Sequence, residues 1–235
     1  TAGVIGEILN RTFARGGAVI MPAFAVGRAQ VLLYHIARLK AAGKIPMSVP
    51  VYLNSPMAVD ATRIFQRHHG EHRLSAEQCD ATCRDVQIVN SVEESEALNR
   101  RSGAMVIISA SGMATGGRVL HHIKAFAPDP RNTILFAGYQ AGGTRGADMV
   151  AGAKAVKLYG AYVPIRAEVA NLQALSAHAD YAEILDWLAH FHVPPLATFI
   201  THGEPAAADA LRLRIAERFG WPCRVPDYCE TINLK

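Results

Sequence analysis

The sequence predicts an α/β fold in which helices flank a doubly wound, mostly parallel sheet. Short apolar runs alternate with amphipathic segments, and short connections join these elements. Several apolar runs are continuous rather than alternating, as expected of parallel strands that are covered on both faces. With 235 residues, of which 50% are hydrophobic, the chain is long enough to bury a substantial core.

The first part of the chain begins with a β-α-β crossover. Its helix is followed by Gly43, and glycine is common just after a helix C-terminus. A later helix is opened by Ser91, with Glu94 three residues on, which is the pattern of a capping box. The predicted strands are residues 17–21, 49–53, 104–109 and 133–137, and the predicted helices are residues 26–42, 56–67, 92–101 and 119–126.

The pattern changes near Gly152. Two short apolar runs then flank Gly160 and Ala161, which predicts a hairpin or tight bend in a different sheet. We therefore expect one domain over residues 1–152 and a second over residues 153–235. In the second part the predicted strands are residues 156–159, 162–169, 197–201 and 223–226, and the predicted helices are residues 181–191 and 206–219.

Positive charge is concentrated in one segment. The net charge is only +4, yet residues 100–166 contain nine Lys or Arg side chains against Asp129 and Asp148. Such a segment suits a polyanion such as a nucleic-acid backbone, although a solvated basic face explains the charge equally well. No run approaches the roughly 18 apolar residues of a membrane span. We expect a cytoplasmic protein without a membrane partner.

The cysteines do not predict a disulfide framework. Four cysteines are few for this length, and Cys79 and Cys83 form the only close pair. His68, His69 and His72 lie nearby, but the spacing fits no common zinc site, so a solvated helix-and-loop region is expected there.

A run of small residues follows the predicted strand 104–109 and leads into a helix. Such a loop lets backbone N–H groups approach an anion, and the helix dipole favours negative charge at that place. The run matches neither the Walker pattern nor GxGxxG, so a purely structural turn stays open. The candidate phosphate-binding residues are Ser109, Ser111, Gly112, Gly116, Gly117 and Arg118, with Thr115 as a further hydroxyl donor.

Two other strand ends carry candidate phosphate-binding or nucleotide-binding residues. Arg28 falls in the first turn of a predicted helix, where a cation is unfavourable unless an anion is nearby. The glycine-rich run 138–146 places Tyr139 and Arg145 where they would stack on or grip a nucleotide. The alternatives are an exposed Arg28 paired with a carboxylate and a structural tight turn at residues 138–146.

Two histidines also lie at predicted boundaries between a strand and a helix. His178 is followed by Asp180, which is placed to cap the next helix rather than to contact the imidazole. His202 comes directly after a predicted strand, where an imidazole is able to bind a metal through one ring nitrogen. A structural role for each histidine stays open on the residues alone.

These motifs occur in a characteristic order that covers nearly the whole chain. They are Ile20-Met-Pro-Ala-Phe-Ala-Val-Gly-Arg-Ala-Gln30, Ile108-Ser-Ala-Ser-Gly-Met-Ala-Thr-Gly-Gly-Arg118, Phe136-Ala-Gly-Tyr-Gln140, Leu175-Ser-Ala-His-Ala-Asp180 and Ile200-Thr-His-Gly-Glu204. In this order they resemble the β-CASP branch of the metallo-β-lactamase-fold nucleases. That branch includes the cleavage-and-polyadenylation endonuclease and its bacterial and archaeal RNA-processing relatives.

The resemblance implies a domain plan and a function. Residues 1–152 would form the β-CASP domain, and residues 153–235 the returning C-terminal part of a metallo-β-lactamase fold with its RNA-specificity region. The implied activity is zinc-dependent hydrolysis of RNA, with single-stranded RNA as the partner. Assembly as a homodimer stays open on the sequence. His178 matches the family's phosphate-contacting general acid, and His202 matches a ligand of one of two zinc ions.

The chain also departs from the family pattern. The His-x-His-x-Asp-His segment, a further His, a bridging Asp and the motif A acid are not found in it. We therefore expect these groups in an upstream metallo-β-lactamase half of the same protein, and this chain alone to lack zinc and activity. The run Thr144-Arg-Gly-Ala-Asp-Met149 also differs from the family's usual Thr-Leu-Gly-Arg. Metal-free nucleic-acid-binding and nucleotide-binding α/β modules are the alternatives.

Overall fold

A computed structural model describes residues 1–176 and 178–233, and the chain divides into two compact units, Thr1–Leu175 and Ser176–Lys235. The predicted parallel sheet is confirmed in the first unit. Its six strands are β1 (Ala18–Pro22), β2 (Val51–Asn54), β3 (Val86–Ile88), β4 (Met105–Ser109), β5 (Thr133–Ala137) and β8 (Glu168–Leu172). They are all parallel and lie in the order β3-β2-β4-β1-β5-β8.

Helices cover both faces of this sheet, which explains the continuous apolar runs. On β1, Val19 and Met21 point to one core, whereas Ile20 points to the other. The first core is completed mainly by α1 (Ala2–Ala14), α2 (Arg28–Ala41) and α3 (Pro56–Arg67). The second core is completed by α5 (Val92–Asn99), α6 (Val119–Phe126) and α7 (Arg145–Val150), while α4 (Ala76–Cys83) packs against α2.

Local sequence signals account for several helix ends. Ser91 forms the predicted capping box with Glu94 at the start of α5. Helix α2 begins at Arg28, two residues later than predicted, because Gly27 has a left-handed φ of 77° and is not helical. The sequence prediction omitted α1, α4, α7 and β3. Helix α1 nonetheless carries a clear signal, since Ile5, Ile8, Leu9 and Thr12 repeat at helical spacing and are buried.

The predicted hairpin after Gly152 is confirmed, and it forms a separate two-stranded antiparallel sheet of β6 (Ala155–Leu158) and β7 (Ala161–Pro164). The prediction of one strand over residues 162–169 was wrong. The backbone N–H groups of Arg166 and Ala167 both donate to the Ala127 carbonyl, which turns the chain away from β7. It then enters β8 at the edge of the main sheet. The predicted domain boundary at residue 152 stays a prediction.

The second unit has its own small core. It contains α8 (Tyr181–Leu188), β9 (Thr198–Phe199), α9 (Pro205–Phe219) and β10 (Cys223–Arg224), and β9 pairs with β10 in parallel. Leu185, Leu188, Ile200, Ile215 and Trp221 are buried together. Both strands are shorter than predicted. Among the described residues, no helix is long and apolar enough to cross a membrane.

Candidate functional site

Three loops meet at the carboxyl edge of the sheet, where they follow the neighbouring strands β4, β1 and β5. The Ala23 N–H donates to the Ser109 carbonyl at 3.0 Å, which links the first two loops. Gln140 Nε2 donates to the Gly112 carbonyl at 3.2 Å, which links the second and third. From β1 the chain continues to β2 and β3 on one side of the sheet, whereas from β4 it crosses to β5 and β8 on the other side. Ligands of open α/β sheets usually bind at such a change in strand order, outside the carboxyl ends of the strands.

The hydroxyl groups of the glycine-rich loop, residues 110–118, and of the preceding Ser109 mainly bind the protein itself. Ser109 is 1% exposed, and its hydroxyl donates to the Asn54 carbonyl at 2.8 Å. Ser111 Oγ accepts from the Thr115 N–H at 3.2 Å and shares a 2.9 Å hydrogen bond with the Thr115 hydroxyl. Ser109 therefore ties the end of β4 to β2, and the Ser111 pair holds the loop in a turn.

The three glycines of this loop have different surroundings. A Cβ on Gly112 would lie 2.9 Å from the Phe24 ring, so this glycine allows close approach of the loop after β1. Gly117 has a φ of 73°, and a Cβ there would collide with the Ala110 carbonyl. Nothing lies within 4 Å of a Cβ placed on Gly116. Gly112 and Gly117 are thus required by packing and backbone conformation, whereas Gly116 borders open space.

Arg118 lies at the end of the loop and is bound by three acceptors. Its guanidinium donates to Asn54 Oδ1 at 2.9 Å, to the Val89 carbonyl at 3.2 Å and to the Asn90 carbonyl at 2.6 Å. These contacts join the loop to the ends of β2 and β3. The structure therefore gives Arg118 a clear positioning role.

A buried network continues from Arg118 through Asn54 to His122. Asn54 Nδ2 lies 2.7 Å from His122 Nε2 and 2.7 Å from the Ser95 hydroxyl, and His122 Nδ1 lies 2.6 Å from Asn99 Oδ1. Burial, followed by the charges of His121 and Arg118, lowers the pKa of His122 to about 4. The neutral ring thus donates from Nδ1 and accepts at Nε2. The sequence analysis did not identify Asn54 or His122. His122 could have been found, because a histidine among the apolar residues of helix 119–126 predicts a buried polar contact.

Arg145 is the first residue of α7 and contacts two neighbouring segments. Its Nε donates to the Lys157 carbonyl at 2.8 Å, and Nη1 lies 3.4 Å from the Ala114 carbonyl and 3.3 Å from the Thr115 carbonyl. Tyr139, in the same loop, is 61% exposed. The loop after β5 therefore presents an aromatic ring, while Arg145 joins the glycine-rich loop to the β6–β7 hairpin.

Arg28 differs from Arg118 and Arg145. Its Nε is buried and has no hydrogen-bond partner among the described residues. Burial lowers the pKa of Arg28 below its usual value. Gly138 lies beside the guanidinium, because a Cβ placed on it would be in van der Waals contact with Arg28 Nη2 at 3.5 Å. A cation at a helix N-terminus with an unused donor is a chemically suitable place for an anion.

The second unit brings His178 and His202 together. Their ring centroids are 6.2 Å apart with an interplanar angle of 27°, and both residues are exposed. Asp180 caps α8, accepting from the Ala182 and Glu183 N–H groups at 2.8 and 2.9 Å, as its position predicted. His202 has a φ of 64°, a left-handed conformation that histidine adopts more readily than most side chains.

The described residues do not form a complete zinc site. Within residues 1–176 and 178–233, no three His, Cys, Asp or Glu side chains converge in a way that would hold a metal ion. Near the cysteine pair, the His72 ring stacks on Phe65 with centroids 4.0 Å apart, and Cys79 is buried rather than solvated. Within the part of the chain that the structure describes, His178 and His202 lie near each other without a third potential ligand beside them, and a metal-binding role for His202 stays a prediction.

The fold and these loops agree with the match to known protein families. Residues 29–149 match the family described as the Beta-Casp domain, and residues 162–226 match the Zn-dependent metallo-hydrolase RNA specificity domain. The chain belongs to the β-CASP family of metallo-hydrolases, whose members include ribonucleases. The resemblance of its ordered motifs is thereby confirmed.

Individual relatives come from bacteria and archaea. The chain is 42% identical to Ribonuclease TTHA0252 of Thermus thermophilus over 77% of its own length and 43% of that protein. It is 31% identical to Transcription termination factor FttA of Pyrococcus abyssi, covering 97% of the chain and 37% of that protein. An RNase J-like protein of Methanocaldococcus jannaschii is 30% identical over 94% of the chain and 51% of its own length. The chain thus spans about half or less of each relative.

Proposed function

We propose that this chain is the RNA-binding and partial catalytic portion of a zinc-dependent ribonuclease that hydrolyses RNA phosphodiester bonds. The observation that carries this proposal is the part-buried Arg28 side chain at the meeting point of three loops, whose Nε has no hydrogen-bond partner among the described residues. An RNA phosphate near the part-buried Arg28 side chain would offset the unfavourable placement of a cation at a helix N-terminus.

Residues 100–166 carry nine Lys or Arg side chains against two Asp, which supports a polyanionic partner. Of these cations, Arg118 and Arg145 lie in the loops at the carboxyl edge of the sheet, whereas Arg101 and Arg131 precede β4 and β5 and lie at the opposite edge. An exposed Tyr139 beside the glycine-rich loop offers a surface on which an unpaired base would stack. Stacking of this kind favours single-stranded RNA.

In this proposal the two histidines have separate roles. As an imidazolium, His178 contacts the scissile phosphate and donates a proton to the leaving oxygen. His202 is one ligand of one of two zinc ions, which when bound supply a hydroxide near neutral pH. The remaining ligands come from an upstream metallo-β-lactamase half of the same protein. Assembly of the protein as a homodimer is also part of the proposal.

The proposal is tested by RNA cleavage with the intact protein and its His178→Ala and His202→Ala variants. We expect each variant to lose at least about a hundredfold in rate, the lower range for loss of a proton donor. Zinc analysis of the same samples should show a lowered zinc content in His202→Ala and an unchanged content in His178→Ala. Full activity in both variants would contradict the assignment.

The salt dependence of binding distinguishes the proposed RNA-binding function from the alternative of a nucleotide-binding module. Binding should weaken steeply with salt, because phosphate contacts release counterions, whereas a mononucleotide site shows little salt dependence. Arg28→Gln should weaken binding, and Lys44→Gln, which removes an exposed cation elsewhere, serves as the control. Equal affinities for the two variants would remove Arg28 from the proposed site.

A further inference from the structure

The β6–β7 hairpin places an aromatic side chain at an unusual position. Leu158 pairs with Ala161, so Tyr159 and Gly160 form the two-residue turn. Their φ values are 50° and 83°, as required by a type I′ turn, in which Asn and Gly are the favoured residues. A tyrosine is uncommon in this left-handed conformation, and such backbone outliers concentrate at functional positions.

Other aromatic and basic side chains surround this turn. His121 on α6 stacks on Tyr159 with ring centroids 4.8 Å apart and an interplanar angle of 27°. Lys124, one helical turn further, has its Nζ 5.9 Å from the centre of the Tyr159 ring. On the hairpin, Lys157 is paired with Tyr162, and Tyr159 and Tyr162 are 55% and 74% exposed.

The hairpin surface has two parts: Tyr159 at the turn with His121 and Lys124 of α6, and the cross-strand pair Lys157 and Tyr162 on the solvent side of the same hairpin. The hairpin is joined to the candidate site. The inward side chains of the hairpin, Val156, Leu158 and Val163, are buried in the core that α6 shares. Arg145 Nε donates to the Lys157 carbonyl, and its Nη1 reaches carbonyls of the glycine-rich loop. The hairpin is thus attached to the loop on which an RNA phosphate is proposed to bind.

We propose that this surface is a second contact site for single-stranded RNA, which lengthens the bound segment beyond the glycine-rich loop. Aromatic rings interleaved with cations are the combination that binds unpaired bases and the phosphates between them without sequence preference. In a regular duplex the bases stack on one another and would leave exposed Tyr159 and Tyr162 without partners. The inference rests on the proposed RNA-binding function and adds a location to it.

The test is fluorescence anisotropy with a labelled oligouridylate of about 16 nucleotides, a length at the upper end of the site sizes known for OB-folds, which also bind single strands by stacking. Tyr159→Asn is a suitable variant because asparagine keeps the left-handed turn while the ring is removed. We expect it to weaken binding about tenfold, as for one lost stacked base, and Tyr159→Phe to bind as the wild type does. Lys157→Gln should reduce the slope of log affinity against log salt by about 0.7, and Lys44→Gln should leave it unchanged.

Photocross-linking gives a second measurement that does not depend on a variant. With a 4-thiouridine oligonucleotide of the same length, cross-links should map to the peptide containing Tyr159 and Tyr162. If the wild type binds this RNA but Tyr159→Asn binds equally well and no cross-link maps to the hairpin, the second site is disproved and the proposed function stands. If the wild type binds no RNA, the proposed function itself fails.

Discussion

The glycine-rich loop and the two histidine loops place candidate residues in opposite environments. In the first unit, Ser109 and Arg118 are tied by hydrogen bonds to Asn54, and His122 extends this network into the core. In the second unit, His178 and His202 are exposed at the surface. Reactive residue types at strand ends thus fall into two groups: those whose hydrogen bonds hold the loops in place, such as Ser109 and Arg118, and those exposed to solvent, such as His178 and His202.

The largest effect is expected from the backbone of the glycine-rich loop. Gly117→Ala should lower the free energy of unfolding by about 4 kcal/mol, because it adds a left-handed alanine and a collision with the Ala110 carbonyl. Gly116→Ala is the matched control, since its Cβ meets open space, and should cost less than about 1 kcal/mol. Denaturant unfolding of both variants measures the difference. Similar losses in the two would show that the loop is not held as described.

The next effect concerns pH and the buried His122. Its pKa is about 4 in the folded chain against an ordinary value of 6.5. Between these values the unfolded chain binds a proton that the folded chain does not bind, so stability rises with pH. Lowering the pH from about 7 to about 4 should therefore cost about 3 kcal/mol through His122 alone.

The contribution of His122 is isolated by comparison with a variant. His122→Gln keeps a polar side chain but does not titrate in this range, so its unfolding free energy should depend less on pH between about 4 and 6.5. Denaturant unfolding at several pH values gives both curves. The same slope in the wild type and the variant would mean that His122 is not buried in its neutral form.

The smallest effect is expected at the exposed histidines. His178→Ala and His202→Asn should each change the free energy of unfolding by less than about 0.5 kcal/mol, as is usual for surface substitutions. Asparagine is chosen at residue 202 because it tolerates the left-handed φ. A loss above about 2 kcal/mol in either variant would place that histidine among the residues that hold the fold.

Much of the fold was predictable from apolar periodicity and from helix signals. The strands at residues 17–21, 104–109 and 133–137 were found because both faces of the sheet are buried, which makes their runs continuous. Short elements such as β3 and α7 were missed, since three to six residues carry too little periodic signal. The strand predicted over residues 162–169 was wrong because the Ala127 carbonyl, distant in sequence, redirects the chain.

The family, the parallel α/β class and the order of the glycine-rich and histidine motifs could all be read from the amino-acid sequence. These follow from residue type and spacing, which are local properties of the chain. The contacts of the arginines could not be read from the sequence: Arg118 and Arg145 donate to backbone carbonyls, whereas Arg28 Nε has no partner in the described residues. The physical reason is that a guanidinium binds whichever acceptors the fold brings near it, and those acceptors come from strands and loops far away in sequence.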